Sequence, residues 1–233
     1  MSDLITASQL NRHCGHARVL SKTRVRSRRT QAAMDTGTAF HAAVEALYAG
    51  RMTGPLSEEV AGWLRDLAAT WEPPAGAEFE IPLGLGTTGR HVAVDEPSPH
   101  AYVAKGDEPL LTAGRADCVW MEGNTIALVD FKTGRFEVEH PRTNLQLWAL
   151  ALAASDRLGG NAIRTGLYYA RRPAPTRWVW SDRIPVDSAA AADRWADVAT
   201  AATIGPEPRV GWWCKRCWER GGCDAYKASM SAV

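Results

Sequence analysis

The sequence predicts an α/β fold in which helices flank a mixed β-sheet. Two observations carry this reading. Segments with apolar residues at three- and four-residue spacing share the chain with segments rich in β-branched and aromatic residues. Short turn-forming stretches join the latter in pairs, as in hairpins. The resulting order is helices, a strand, a hairpin, a helix, a hairpin and a helix, with no internal repeat.

Residues Asp35 to Gly50 read as a helix, because Phe40, Val44, Leu47 and Tyr48 fall on one face. Ser57 to Trp71 is a second helix, with Ser57 as N-cap and Glu58 and Glu59 in its first turn. Glu78 to Leu85 sets Phe79, Ile81 and Leu83 at alternate positions and reads as a strand. Pro82 makes it an edge or irregular strand. Asp95 to Glu108, rich in Pro, Asp and Gly, is expected to be a surface loop. Leu111 to Met121 and Thr125 to Lys132 form a hairpin around Glu122-Gly123-Asn124. Pro141 precedes a long apolar helix, Thr143 to Leu158. Ile163 to Ala170 and Thr176 to Ile184 are two further strands, and Asp187 to Ala202 is an Ala-rich helix.

The chain has 233 residues, enough for one sizeable core. A single domain over 1–233 is expected, with a basic N-terminal segment over 1–35 and a cysteine-rich segment over 204–227. The composition, 45% hydrophobic and 23% charged, is that of an ordinary globular protein. The net charge of +1 excludes nothing, but its distribution is uneven. Arg12, Arg18, Lys22, Arg24, Arg26, Arg28 and Arg29 fall in a stretch with no carboxylate between Asp3 and Asp35. Such a block can neutralise nucleic-acid phosphates, or can be a solvated basic loop. No apolar run is long enough to span a bilayer, and the start does not read as a secretory signal, so a cytoplasmic location is expected.

The chemistry concentrates in the first hairpin. Asp130 and Lys132 lie two apart on a strand and share a face, while Phe131 points to the other. A hairpin partner can bring Asp117 beside them. Two carboxylates and a lysine at one sheet edge suit phosphodiester hydrolysis. Hard oxygen ligands hold Mg²⁺ or Mn²⁺, and a lysine can orient a water or offset transition-state charge. An Asp-x-Lys triplet by itself is as often a surface ion pair. The apolar strand before it, the Gly134 turn after it and the upstream Asp117 raise it above that reading. His41, early on an amphipathic helix, is by itself an ordinary half-buried histidine. Beside two carboxylates it becomes a candidate metal ligand. Glu78 and Glu80 are weaker candidates.

Gly37-x-x-x-His41, then Gly114-x-x-Asp117, then Asp130-x-Lys132-Thr133-Gly134, then an apolar helix with an aromatic, resembles the RecB-like branch of the PD-(D/E)XK nuclease superfamily. The resemblance runs from Cys14 to Cys223. It implies a restriction-endonuclease-like mixed sheet, a metal held by His41, Asp117 and Asp130 with the Phe131 carbonyl, and Lys132 as catalytic lysine. Relatives carry a Gln and, four residues later, a Tyr on the following helix. Asn144 and Trp148 occupy those places here, and Gln146, about 200° round the helix, is expected to face elsewhere. Helix capping and core packing explain Asn144 and Trp148 equally well.

The tail reads Cys214-x₂-Cys217-x₅-Cys223, and Cys14 lies near the other end. Five cysteines in a cytosolic chain point to metal ligands or buried thiols rather than disulfides. One C-x₂-C with a distant fourth thiol suits an iron–sulfur cluster better than a zinc knuckle pair, although zinc with His13 or His16 stays open. The array resembles the iron–sulfur branch of the same nucleases, namely the fourth CRISPR-associated protein family and AddB-type helicase–nuclease subunits. That implies a structural [4Fe–4S] cluster on Cys14, Cys214, Cys217 and Cys223, joining the two ends. Cys118, beside Asp117 on a strand, faces away and reads as a buried small hydrophobe.

The expected function is a Mg²⁺- or Mn²⁺-dependent DNA exonuclease acting on single-stranded ends. The alternative is a catalytically silent DNA-binding or assembly module of a recombination or CRISPR complex. A third reading is a nuclease subunit with a helicase partner. The chain has no Gly-x-x-x-x-Gly-Lys-Ser/Thr loop, so a motor would come from another protein.

Overall fold

The structure is a computed structural model and describes residues 4–10, 14, 28–52, 54–98, 101–135, 137–205, 207, 210, 214, 217, 221 and 223–231. Most of the basic stretch from Arg12 to Arg26, with His13 and His16, lies outside the described residues. A 3₁₀ turn at Ala7–Gln9 comes first. It is followed by α1 (Arg28–Tyr48) and α2 (Glu58–Thr70). The strands β1 (Glu78–Gly86), β2 (His91–Val92), β3 (Val94–Ser98), β4 (Ala101–Ala104), β5 (Leu110–Glu122) and β6 (Thr125–Lys132) come next. Then come α3 (Leu145–Leu158), β7 (Ala162–Tyr169), β8 (Trp178–Trp180), β9 (Ile184–Pro185), α4 (Ala189–Thr203) and α5 (Asp224–Ser231).

The central sheet runs β2-β1-β5-β6-β7-β8, with β9 also on β7. Its strand pairs are antiparallel except for β6 and β7, which are parallel in the register Thr125↔Ala162 to Lys132↔Tyr169. A parallel pair needs a crossover, and α3 supplies it. This crossover defines the layers. Leu147, Trp148, Leu150 and Ala154 of α3 pack on one sheet face against Leu83, Val119, Ile126, Leu128 and Leu167, and Val198 and Ala201 of α4 join that core. On the other face Phe40 and Val44 of α1 and Val60, Trp63 and Leu67 of α2 meet Cys118, Trp120, Val129 and Phe131. The predicted mixed sheet between helical layers is therefore the architecture, with antiparallel pairing dominant. No helix among the described residues is long and apolar enough to cross a membrane.

Several boundaries differ from the sequence reading. Helix α1 starts at Arg28, seven residues before Asp35. Residues 30–35 are exposed, so they carry no apolar stripe for periodicity to detect. The Asp95–Glu108 region is not all loop, because Val94–Ser98 and Ala101–Ala104 form a small antiparallel ribbon. Val94 and Tyr102 bury themselves there against Ala113. The strand expected over Thr176–Ile184 is two short strands, since at Ser181 the side-chain Oγ accepts the Thr165 N–H at 2.9 Å and breaks the ladder. Pro82 falls where only β5 pairs with β1, because β2 reaches only Gly84 and Leu85.

Trp148 is fully buried at the centre of the α3 core, and its Nε1–H donates to the Arg142 carbonyl at 3.0 Å. Trp148→Ala should lower stability by about 3–5 kcal/mol through the cavity it leaves. Urea denaturation should show this as a lower midpoint with little change in slope.

Candidate active site

The site forms where two strands part. Pairing of β5 with β6 runs from Glu122↔Thr125 to Cys118↔Val129. Past that point Asp117 replaces the backbone partner, and its Oδ2 accepts the Phe131 N–H at 2.6 Å. Phe131 then turns its ring into the α1/α2 core. Asp130 and Lys132 stay on the opposite face, with Lys132 Nζ 2.6 Å from Asp130 Oδ2. That oxygen has no well-directed hydrogen bond besides the ion pair. Both aspartates are almost fully buried.

Helix α1 brings in His41. Its Nε2 lies 2.8 Å from the Phe131 carbonyl, and its Nδ1 lies 3.4 Å from Asp117 Oδ1 and 3.3 Å from Glu80 Oε1. The close seat of the helix needs Gly37, where a Cβ would come within 2.9 Å of Thr133 Oγ1. Glu80 reaches the site from β1 with φ of +51°, a left-handed conformation rare for a non-glycine residue in a strand. Its carbonyl accepts from Arg115 at 2.7 Å, which braces that turn.

His41, Glu80 and Asp117 place one ligand atom each within 4.8 Å of one another, and among the described residues this is the sole such group of three. Asp130, also expected as a ligand, lies outside that group of three and pairs with Lys132 at 2.6 Å. The sequence marks Glu80 only weakly, because exposed strand glutamates usually only solvate. The signal that singles it out is the combination of strand position and a half-buried carboxylate, and only the second is structural.

Gln146 corrects an expectation. It does not face elsewhere, since its Nε2–H points to Asp130 Oδ1 at 3.5 Å. The 200° offset holds, but the face that meets the site is the one carrying Gln146. Asn144 is the N-cap of α3, its Oδ1 accepting from Leu147 N at 3.2 Å, and Trp148 faces the core. Gln146 is therefore the residue aimed at the site, and the place four residues on is the apolar Leu150.

The electrostatics fit a divalent cation. With Nε2–H donated to the Phe131 carbonyl, a neutral His41 turns its Nδ1 lone pair toward two carboxylates, which only a proton or a cation can reconcile. Burial alone would lower the His41 pKa, but the charge and hydrogen bonding of Asp117 and Glu80 raise it well above the ordinary imidazole value. Burial would raise the Asp117 carboxyl, but His41, Lys132 and the Phe131 N–H hold it below the usual range. Burial pushes Asp130 up, an effect Lys132 opposes and Asp117 reinforces. Lys132 loses by burial, yet Asp130 and Asp117 keep it an ammonium. Glu80, Asp117 and Asp130 carry three negative charges against one positive charge on Lys132. A neutral imidazole thus leaves two uncompensated, with Arg115 only at 4.0 Å from Glu80. Carboxylate oxygens and one imidazole suit Mg²⁺ or Mn²⁺.

The cysteines are less gathered. Cys14 and Cys214 are buried, and Cys217 and Cys223 half-buried. Among the described residues no three of them form a close ligand group. Zn–S bonds of about 2.3 Å would need thiolates about 4 Å apart. Cys118 is fully buried, and burial pushes its thiol far up, as expected of a packing residue.

Buried acidic residues and a lysine at a strand divergence, in a mixed sheet between helical layers, form a site whose chemistry suits a divalent metal. A family model described as the PD-(D/E)XK nuclease superfamily matches residues 12–224, and the chain belongs to that superfamily. Its members use divalent metals. A search of curated proteins found no match. Among solved structures, the crystal structure of SSO0001 is similar at 16% identity and TM-score 0.47, covering 97% of this chain and 88% of that one. An alkaline exonuclease from Laribacter hongkongensis is similar at 14% identity and TM-score 0.28, covering 84% and 88%.

The metal-free protein should lose stability as pH rises through the elevated His41 pKa. A raised folded pKa contributes stability that is complete below the unfolded value and lost above the folded one. His41→Gln should flatten this alkaline decline in EDTA, measured by thermal unfolding between about pH 6 and pH 9.

Proposed function

We propose that the chain is a Mg²⁺- or Mn²⁺-dependent deoxyribonuclease acting as an exonuclease on DNA ends, single-stranded ends being the expected substrate. The observation that carries this reading is the convergence of His41, Glu80, Asp117 and the Asp130–Lys132 pair where β5 and β6 diverge. His41, Glu80 and Asp117, with Asp130 and the Phe131 carbonyl beside them, would hold the ion. When bound, it would polarise a phosphoryl oxygen and acidify a water. The chain's own part is positional. Lys132, kept as an ammonium by Asp130, offers protons and positive charge to the phosphoryl group as negative charge builds on its oxygens. Gln146 steadies the other oxygen of Asp130. His41 keeps one ring nitrogen on the Phe131 carbonyl, so the second points at the carboxylates.

Asp130→Ala and Lys132→Ala should each abolish Mn²⁺-dependent degradation of end-labelled DNA, with losses of several orders of magnitude. Circular dichroism should stay native. Near wild-type cleavage by either variant would overturn the assignment. A folded wild-type protein that binds DNA but cuts nothing with either ion would favour the silent-module reading.

The C-x₂-C-x₅-C spacing, with Cys14 and Cys214 buried, supports a structural [4Fe–4S] cluster on Cys14, Cys214, Cys217 and Cys223. Anaerobically purified protein should then carry about four irons per chain. Cys14→Ser and Cys217→Ser should lose the iron while Cys118→Ser keeps it. Stoichiometric zinc without iron would sink the cluster assignment and leave the nuclease reading intact.

A further inference from the structure

The parallel strands β6 and β7 end side by side, and the chain beyond them borders an open cavity of about 320 Å³ lined by Gly134, Arg135, Tyr169, Arg171 and Arg172. Ligands of open α/β sheets commonly sit at the carboxyl ends of parallel strands. This cavity adjoins the candidate active site. Lys132 and Tyr169 are register partners, so their side chains project from the same face. The Lys132 carbonyl accepts from Ala170 N at 2.9 Å, which ties the two strand ends together one residue further on.

Arg135, Arg171 and Arg172 line the cavity, and two of the three guanidinium groups are braced. Arg171 donates from Nε to the Thr133 carbonyl at 2.7 Å, pairs with Glu59 at 2.6 Å, and lies 4.5 Å over the Trp63 ring. Arg172 lies 3.7 Å over the Tyr169 ring and pairs with Glu137 at 2.6 Å. Glu137 is 80% exposed, so an incoming anion can exchange for it at little cost. Arg135 is exposed, and among the described residues no carboxylate pairs with it. The backbone at Gly134 is open, since a Cβ there would meet nothing within 4 Å. Forked N–H donors on pre-set guanidinium planes match phosphate oxygens in pairs, which a lysine cluster would not.

We propose that this cavity is a second phosphate subsite, in which Arg135 and Arg172 hold the phosphate next to the scissile one on the bound strand, while Arg171 braces the cavity wall through Thr133, Glu59 and Trp63. The proposal rests on the nuclease reading above. The occupant is a nucleic-acid phosphate, either the monoester at a strand end or a diester within the chain. Substrate held at two adjacent phosphates is fixed in direction, so the scissile group is presented to Lys132 in one orientation.

The test is binding of a fluorescently labelled single-stranded oligonucleotide by anisotropy in EDTA, over a series of salt concentrations, beside cleavage kinetics in Mn²⁺. Arg135→Gln and Arg172→Gln should each weaken binding about 5- to 10-fold and lower the log–log salt slope by about 0.7 for each phosphate left unneutralised. In cleavage they should raise KM more than they lower kcat. Oligonucleotides with and without a 5′- or 3′-phosphate separate the two occupants. A defect confined to a phosphorylated end identifies the monoester, and an equal defect on all ends identifies the diester. Unchanged affinity and slope in both variants would overturn the subsite, while abolition of cleavage in Lys132→Ala would still uphold the nuclease. Conversely, arginine-dependent binding by a wild-type protein that cleaves nothing would overturn the nuclease reading and leave an anion site.

Discussion

The hydrogen bond from the Phe131 amide to the Asp117 carboxylate governs the geometry of the site. It stands where a strand-to-strand backbone bond would otherwise be, so the sheet opens without leaving a buried amide unpaired. The opening admits the imidazole of His41 from one layer and Gln146 from the other. A lysine and an aspartate two residues apart then share one face, while the intervening phenylalanine anchors the strand in the opposite core. Removing the Asp117 carboxylate would therefore remove a proposed metal ligand and a structural partner at once.

The two cores divide the labour. The α1/α2 face is aromatic, with Phe40, Trp63, Trp71, Trp120 and Phe131 in edge-to-face or tilted contact, and it sets the seat of His41. The α3 face is aliphatic and alanine-rich, which lets that helix lie close over the sheet. Gly114 marks the closeness, because a Cβ there would sit 2.8 Å from the Ala7 Cβ and 3.3 Å from Leu150. Both glycine-led motifs, Gly37 with His41 and Gly114 with Asp117, thus encode packing distance as much as chemistry.

Much of this is legible in the sequence. Alternation around Glu122-Gly123-Asn124 locates the hairpin, and the two-residue period puts Asp130 and Lys132 together. The family match agrees with the nuclease resemblance at the level of the superfamily. What escapes has physical reasons. Residues 30–35 of α1 are exposed and carry no apolar stripe. Gln146 escapes because helical periodicity fixes relative angles and not which face meets the site, and Asn144 is committed to a cap. Glu80 depends on a backbone torsion that no side-chain pattern records. The cavity at Arg135, Arg171 and Arg172 joins segments about 35 residues apart, brought together by parallel register.

The left-handed torsion at Glu80 has an energetic side. A non-glycine residue there costs on the order of 1–3 kcal/mol, and glycine would relieve it. That cost is a sizeable share of the margin of about 5–15 kcal/mol on which a domain folds. A glutamate at such a position therefore spends folding free energy on bringing its carboxylate beside His41 and Asp117, a thermodynamic tension between the chain and its task.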